Sequence, residues 1–191
     1  MAKMQPLDVA IESMTFVAQA QGFAEPAPAP TDEDICEAQE VLGVPLPPSY
    51  IEFMERAGEV LLPDWDLYWV GGCDLTTRRN LVIANELERD HDSSPLPAFL
   101  IAFCDDGNGD QYCFDTRTRT VAGSDQSVEL EGEVGIGERA DPATDPFNMQ
   151  ALEYPIVLWD RDQGLSQLRD GLNVVATDFI DWLQGQVPES P

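Results

Sequence analysis

The sequence predicts an α+β fold, a single domain in which an antiparallel or mixed sheet is flanked by helices. Two segments carry that reading: a capped helical hairpin between Thr31 and Glu59, and a β-hairpin around Asp105-Asp106-Gly107-Asn108-Gly109-Asp110. The third observation is that helices and strands do not alternate as repeated βαβ units, which argues against a doubly wound parallel sheet.

Leu7, Ile11, Met14 and Val17 or Ala18 recur at helical spacing and predict an amphipathic N-terminal helix. The prolines of Ala24–Pro30 (AEPAPAP) favour an extended spacer over a packed element. Residues 1–30 therefore read as a helical extension and Pro-rich linker, docked on the main domain or on a second copy, and residues 31–187 as the domain itself. Thr31 is placed to cap a helix carrying Ile35, Ala38 and Leu42 on one face and ending at Gly43. Ser49 and Glu52 have the spacing of a capping box for a second helix with Tyr50, Phe53, Met54 and Ala57 inward.

Val60–Leu62 and Leu67–Val70 are strand candidates, and Asp74–Asp90 reads as a helix. Its expected inward residues are Leu75, Val82, Ile83 and Leu87, with Glu86, Glu88 and Asp90 outward. Phe99–Cys104 and Gln111–Thr116 flank the DDGNGD turn, where Asp-Gly and Asn-Gly supply the positive φ that a tight hairpin needs. Thr120–Gly123 and Ser127–Val134 are further short strands, and Gly135–Gln150 is an aperiodic loop. Tyr154–Asp160 is a final strand, and a closing helix carries Ala176, Phe179, Ile180, Trp182 and Leu183 on its buried face.

Four motifs in this order resemble the SMI1/KNR4 (SUKH) superfamily. They are Leu46-Pro47-Pro48-Ser49-Tyr50, Asp106-Gly107-Asn108-Gly109-Asp110, Tyr154-Pro155-Ile156 and the run Ala176 to Leu183 containing Phe179, Trp182 and Leu183. Together they span roughly residues 31 to 185. Two departures stand out: Ala57-Gly58-Glu59 where the family often has a Gly-Gly or Asn-Gly pair, and the Gly135–Gln150 insertion. The resemblance implies a SUKH-like single domain that works by binding. Many bacterial members are immunity proteins that neutralise toxins, and fungal members imply an alternative role as a regulatory scaffold with no toxin partner.

Composition bounds the partners independently. The chain has 191 residues, 36 acids against 10 bases, and a formal net charge of −26. Nucleic acid and anionic membranes are poor partners for such a surface, because phosphate contacts need clustered Lys and Arg. Two uses of the charge remain: solubility, and steering toward a basic protein. A nuclease-type toxin domain is basic because its substrate is polyanionic, and a carboxylate array fits the same groove. The N-terminus lacks a signal-peptide pattern and no apolar run approaches the roughly 20 residues of a membrane span, so a cytoplasmic location is expected.

No enzyme site, cofactor or metal is expected. One histidine, His91, sits among acids, and the four cysteines Cys36, Cys73, Cys104 and Cys113 lack metal spacing and read as buried free thiols. Asp106-x-Asn108-x-Asp110 opens like a calcium loop, but the sixth position is Gln111, the twelfth is Arg117, and the flanks are strands. Trp65, Tyr68 and Trp69 either pack the sheet or anchor a partner, and at least two of the three are expected in the core. The candidate partner-binding residues are Glu86, Glu88, Asp90 and Asp92 at a helix end, Asp105, Asp106 and Asp110 at the turn, and Trp65 and Trp69. The acids are expected to project into solvent from element termini, where the fold does not need them.

Overall fold

A computed structural model describes residues 6–12, 29–57, 66–71, 79–121, 127–129 and 152–186. Residues 6–12 form a short helix, α1, whose Leu7 and Ala10 are buried in the core and whose Asp8 pairs with Arg56. Helix α2 (Asp32–Leu42) begins with a true capping box. Thr31 Oγ1 accepts from Asp34 N–H at 3.2 Å, and the Asp34 carboxylate accepts from Thr31 N–H at 2.8 Å. Gly43 ends the helix at φ 77°, a left-handed conformation that costs a glycine little.

Helix α3 (Pro48–Ala57) departs from the expected capping box. Pro48 occupies the first helical position, where its missing N–H is no loss, so Ser49 lies one residue inside the helix. The partner of Ser49 comes from far along the chain: its N–H and Oγ donate to the two oxygens of Glu153 at 2.9 and 2.7 Å. Glu52 instead faces outward and pairs with Arg56 at 2.8 Å. Glu153 is thus the acceptor for the start of α3, and no local spacing could have revealed it.

The main sheet has five strands in the order β1 (Asp66–Leu67), β2 (Leu100–Asp105), β3 (Gln111–Asp115), β7 (Ile156–Trp159) and β8 (Asn173–Ala176), all paired antiparallel. Between them in sequence lie helix α4 (Leu81–Arg89) and a small sheet ordered β5 (Ser127–Glu129), β4 (Thr118–Val121), β6 (Leu152–Glu153). A short helix α5 (Gln167–Asp170) precedes β8, and α6 (Phe179–Gln186) closes the fold. The expected β-hairpin forms, with Leu100 opposite Asp115 and Asp105 opposite Gln111; Gly107 and Gly109 in its turn have φ of 83° and 102°.

Several expectations are corrected. The Leu67–Val70 strand shrinks to β1 plus an isolated parallel bridge from Trp69 to Asn80, because Trp69 hydrogen-bonds to the chain entering α4. The helix expected over 74–90 starts at Leu81, since Asn80 Oδ1 accepts from the N–H groups of Val82 and Ile83 and caps it. That start sets its inward face as Leu81, Ala84 and Asn85, so Leu87 is exposed. Ala176 belongs to β8, a strand absent from the sequence reading, and the closing helix starts three residues later. Cys36 is exposed; Cys104 and Cys113 are buried free thiols. Val60–Leu62, Trp65, Cys73, Leu75 and the 135–150 loop lie outside the described residues.

An aromatic cluster joins α3, the sheet and α6. Phe103 stacks on Phe114 with centroids 4.3 Å apart, Trp182 meets Phe103 edge-on at 4.9 Å, and Tyr50 meets Phe179 at 5.1 Å. Phe179 is fully buried and Trp182 nearly so, so α6 docks through its rings. Trp182→Ala is expected to lower stability by about 3–5 kcal/mol in denaturant unfolding, and a change below about 1 kcal/mol would mean that α6 does not dock this way.

Burial raises the Glu153 carboxyl above its ordinary 4.5, outweighing the lowering by its Ser49 hydrogen bonds. A raised acid binds its proton more tightly folded than unfolded, so its contribution is complete below 4.5 and is lost as pH rises through the folded value. Glu153→Ala should cost roughly 1–3 kcal/mol by orphaning the Ser49 donors, and Glu153→Gln less. Stability measured from pH 4 to 8, about the range in question, should show wild type losing ground to Glu153→Gln as pH rises; parallel curves would contradict this.

Candidate functional site

The site grows from the docking of α4 on β2. Asn85, fully buried, uses its side-chain amide as a surrogate strand: Oδ1 accepts from Ala102 N–H at 2.9 Å and Nδ2 donates to Ala102 C=O at 2.8 Å. Nδ2 also donates to Leu81 C=O at 2.8 Å, which leaves the amide fully used. Ala102 borders a register shift in β2, where its backbone groups turn away from the regular ladder. One amide thereby sets the height and rotation of α4 over the edge of the sheet.

Between α4 and that edge lies a cleft of about 400 Å³ lined by Asp66, Tyr68, Arg79, Ala84, Leu87, Glu88, His91, Asp105 and Arg161. Its polar groups are held by partners. Glu88 follows Leu81, Ala84 and Asn85 on the inward face of α4, and both its oxygens accept from Arg161 Nη2 at 2.6 and 2.7 Å. Both side chains of that pair are largely shielded, 14% exposed for Glu88 and 30% for Arg161. Arg79 pairs with Asp66 at the mouth. On the floor, Tyr68 Oη donates to Gln111 Oε1 and Gln111 Nε2 donates to Asp105 Oδ2, each at 2.8 Å. Asp105 Oδ1 also accepts from Gly107 N–H at 2.7 Å, so this carboxylate is fixed from two sides. Burial, with the nearby Asp105 and Glu88 carboxylates, pushes the Tyr68 hydroxyl well above the usual tyrosine range, so it stays a neutral donor.

The candidate acids therefore separate into two groups. Glu86, Asp90 and Asp92 are exposed around the end of α4, as expected. Glu88, Asp105, Asp106 and Asp110 are not free of the fold, which corrects the reading of them as dispensable solvent-facing groups. Asp106 Oδ1 accepts from the N–H groups of Asn108 and Asp110 at 2.7 and 3.1 Å, forming the turn itself. Asp110 Oδ1 accepts from Arg161 N–H at 3.0 Å and ties the turn to the chain after β7. Trp69 is also corrected: it is buried and stacks on Phe53 with centroids 5.9 Å apart, so it packs the core and offers no surface. Trp65 lies outside the described residues.

The cleft residues missed in the sequence are Arg79 and Arg161; Tyr68 is read there only for its ring, and its hydroxyl's buried partner Gln111 only as part of the hairpin. The one available signal was scarcity: with 10 bases among 36 acids, any arginine has several carboxylates to choose from, but which one it meets is a matter of topology. Chemically the arrangement suits recognition. His91 Nδ1 accepts from Ser94 N–H at 3.2 Å, which turns this ring nitrogen to the backbone. Burial pushes the Cys104 and Cys113 thiols well above their usual range, so neither supplies a thiolate nucleophile. Among the described residues no group of His, Cys, Asp and Glu could hold a metal ion, and no helix is long and apolar enough to cross a membrane.

A helical hairpin packed on an antiparallel sheet, with a charged cleft at one sheet edge, defines a SUKH-like α+β domain. The family model SUKH_5, described as SMI1-KNR4 cell-wall, matches residues 11–130, and the chain belongs to that family. Of the residues lining the cleft, Arg161 alone lies beyond the matched segment. No curated protein matches the chain.

The shielding of Glu88 and Arg161 separates two kinds of acid by experiment. Glu88→Ala is expected to cost roughly 1.5–3 kcal/mol, because it strands the Arg161 guanidinium. Asp90→Asn and Asp92→Asn should stay within about 0.5 kcal/mol of wild type in the same denaturant titration. Equal effects from all three would contradict the division.

Proposed function

We propose that this protein is a non-enzymatic, cytoplasmic binding module that captures a basic protein partner, and that the partner is a toxin domain of the nuclease type. The observation that carries this reading is the cleft beside α4. Three carboxylates, Asp66, Glu88 and Asp105, meet two guanidiniums there, and exposed Glu86, Asp90 and Asp92 lie around the helix end. A chain with a net charge of −26 surrounds the cleft with a negative field that draws in cations and repels polyanions. Membership in a superfamily that includes immunity proteins supports the same role.

The mechanism is occlusion. Carboxylates already held in place lose little conformational freedom when a lysine or arginine of the partner reaches them, so binding retains more of its contact energy. A cationic groove that accepts phosphates would be filled by this acidic rim, and substrate would be excluded without any chemistry on the part of the binder.

Association with a basic nuclease-domain toxin encoded beside the gene should slow steeply as salt rises, because screening shortens electrostatic reach to about 8 Å at physiological ionic strength. The variant Glu86→Gln/Asp90→Asn/Asp92→Asn should associate more slowly at low salt with an unchanged melting temperature. It should also protect cells less well. A rate insensitive to salt, or full protection by the variant, would contradict the proposal.

A further inference from the structure

We propose that β8, at the opposite edge of the main sheet from the cleft, is a second docking edge that accepts an extended segment of a basic partner protein as an added strand. The proposal rests on the preceding reading only for the charge of the partner. In the order β1-β2-β3-β7-β8, β8 is terminal and pairs on one side only with β7 among the described strands. A strand so placed presents unpaired backbone N–H and C=O groups, and edges that should remain free usually carry a lysine, a proline or a charge. β8 reads Asn173-Val174-Val175-Ala176 and has none of these.

Its side chains are unusually apolar for an edge. Val174 is 61% exposed and Val175 is 42% exposed. A register shift between Ile156 and Val157 leaves Val175 without an opposite residue on β7. Leu165 and Leu168, just before the strand, are also exposed, so four of the seven exposed large apolar residues among the described ones fall in residues 165–175. Concentrations of this kind mark interaction surfaces.

The surroundings select the occupant. From Gly164 to Gln186 three acids, Asp170, Asp178 and Asp181, stand against one base, Arg169. An apolar edge on a chain of net charge −26 fits a strand with alternating basic and β-branched residues. A second copy of this chain would bring another net charge of −26 against this edge, which opposes self-pairing. Main-chain hydrogen bonds would then supply affinity, and the two valines with their acidic flanks would supply selectivity.

The probe is a synthetic peptide of alternating lysine and valine, titrated into isotopically labelled full-length protein and followed by backbone amide shifts. Shifts are expected at residues 173–177 and not at the cleft. Methylating alternate backbone nitrogens of the peptide should weaken binding by roughly tenfold or more, because it removes the strand donors. Val174→Lys should weaken it by a similar factor through charge at the edge, with an unchanged melting temperature, and Val174→Ser should weaken it less. Sedimentation should find a monomer.

Undiminished binding of the methylated peptide, equal binding of a glutamate–valine peptide, or shifts confined to the cleft would each overturn the proposal. So would a wild-type dimer that Val174→Lys dissociates, which would make this edge a self-interface. If a basic toxin binds wild type and Val174→Lys equally, the edge proposal fails and the cleft reading stands. If no basic protein binds but the lysine–valine peptide does, the reverse holds.

Discussion

One buried amide governs how α4 sits on the sheet and so the shape of the cleft beside it. Asn85 spans from Leu81 on its own helix to both backbone groups of Ala102, so α4 sits at one height over β2 and in one rotation. A leucine of similar size would leave the Ala102 N–H and C=O dry and unpaired, at roughly 1–3 kcal/mol for each orphaned group. Everything at the cleft follows from that setting. It points Glu88 inward toward Arg161, leaves Leu87 at the mouth, and carries His91 to the rim. Glu153 performs a comparable task on the other side of the core, where its carboxylate receives the start of α3.

With so few bases, the fold must hold most of its acids by other means. Backbone N–H groups do much of that work: Asp106 closes the hairpin turn on Asn108 and Asp110, Asp105 takes Gly107, and Asp110 takes Arg161. Charges fixed in this way add to the external field without fraying. The exposed acids around the end of α4 and the acids that shape the turn are therefore neighbours with different duties, and of these two groups the exposed set, Glu86, Asp90 and Asp92, is the one free to change without cost to the fold.

How much of this was legible in the sequence depended on the distance over which each signal acts. The α2 cap, the DGNG hairpin, and the burial of Phe179 and Trp182 were readable because turn chemistry and helical periodicity are local. The α3 start is not legible locally: a Ser-x-x-Glu spacing looks like a cap, whereas Pro48 sets the helix start and a carboxylate 104 residues away supplies the acceptor. The register of α4 was set by Asn80, which a longer apolar pattern had hidden. β8 is hidden in the sequence because Ala176 falls at helical spacing from Phe179, Ile180 and Leu183. At the candidate site the acidic character was visible, but not the pairing. Glu88 with Arg161, and Tyr68 with Gln111 and Asp105, are products of topology.

The most direct test observes the side-chain carboxylates themselves. Carbon-detected NMR of the protein, alone and saturated with a basic protein captured on the wild-type chain, would report each aspartate and glutamate. The account predicts that Asp66 and Asp105 shift strongly on binding, while the Asn85 side-chain amide, already locked to Ala102 in the free protein, stays in place. Cleft carboxylates that remain unmoved in a saturated complex, or an Asn85 amide that rearranges to admit the partner, would contradict it.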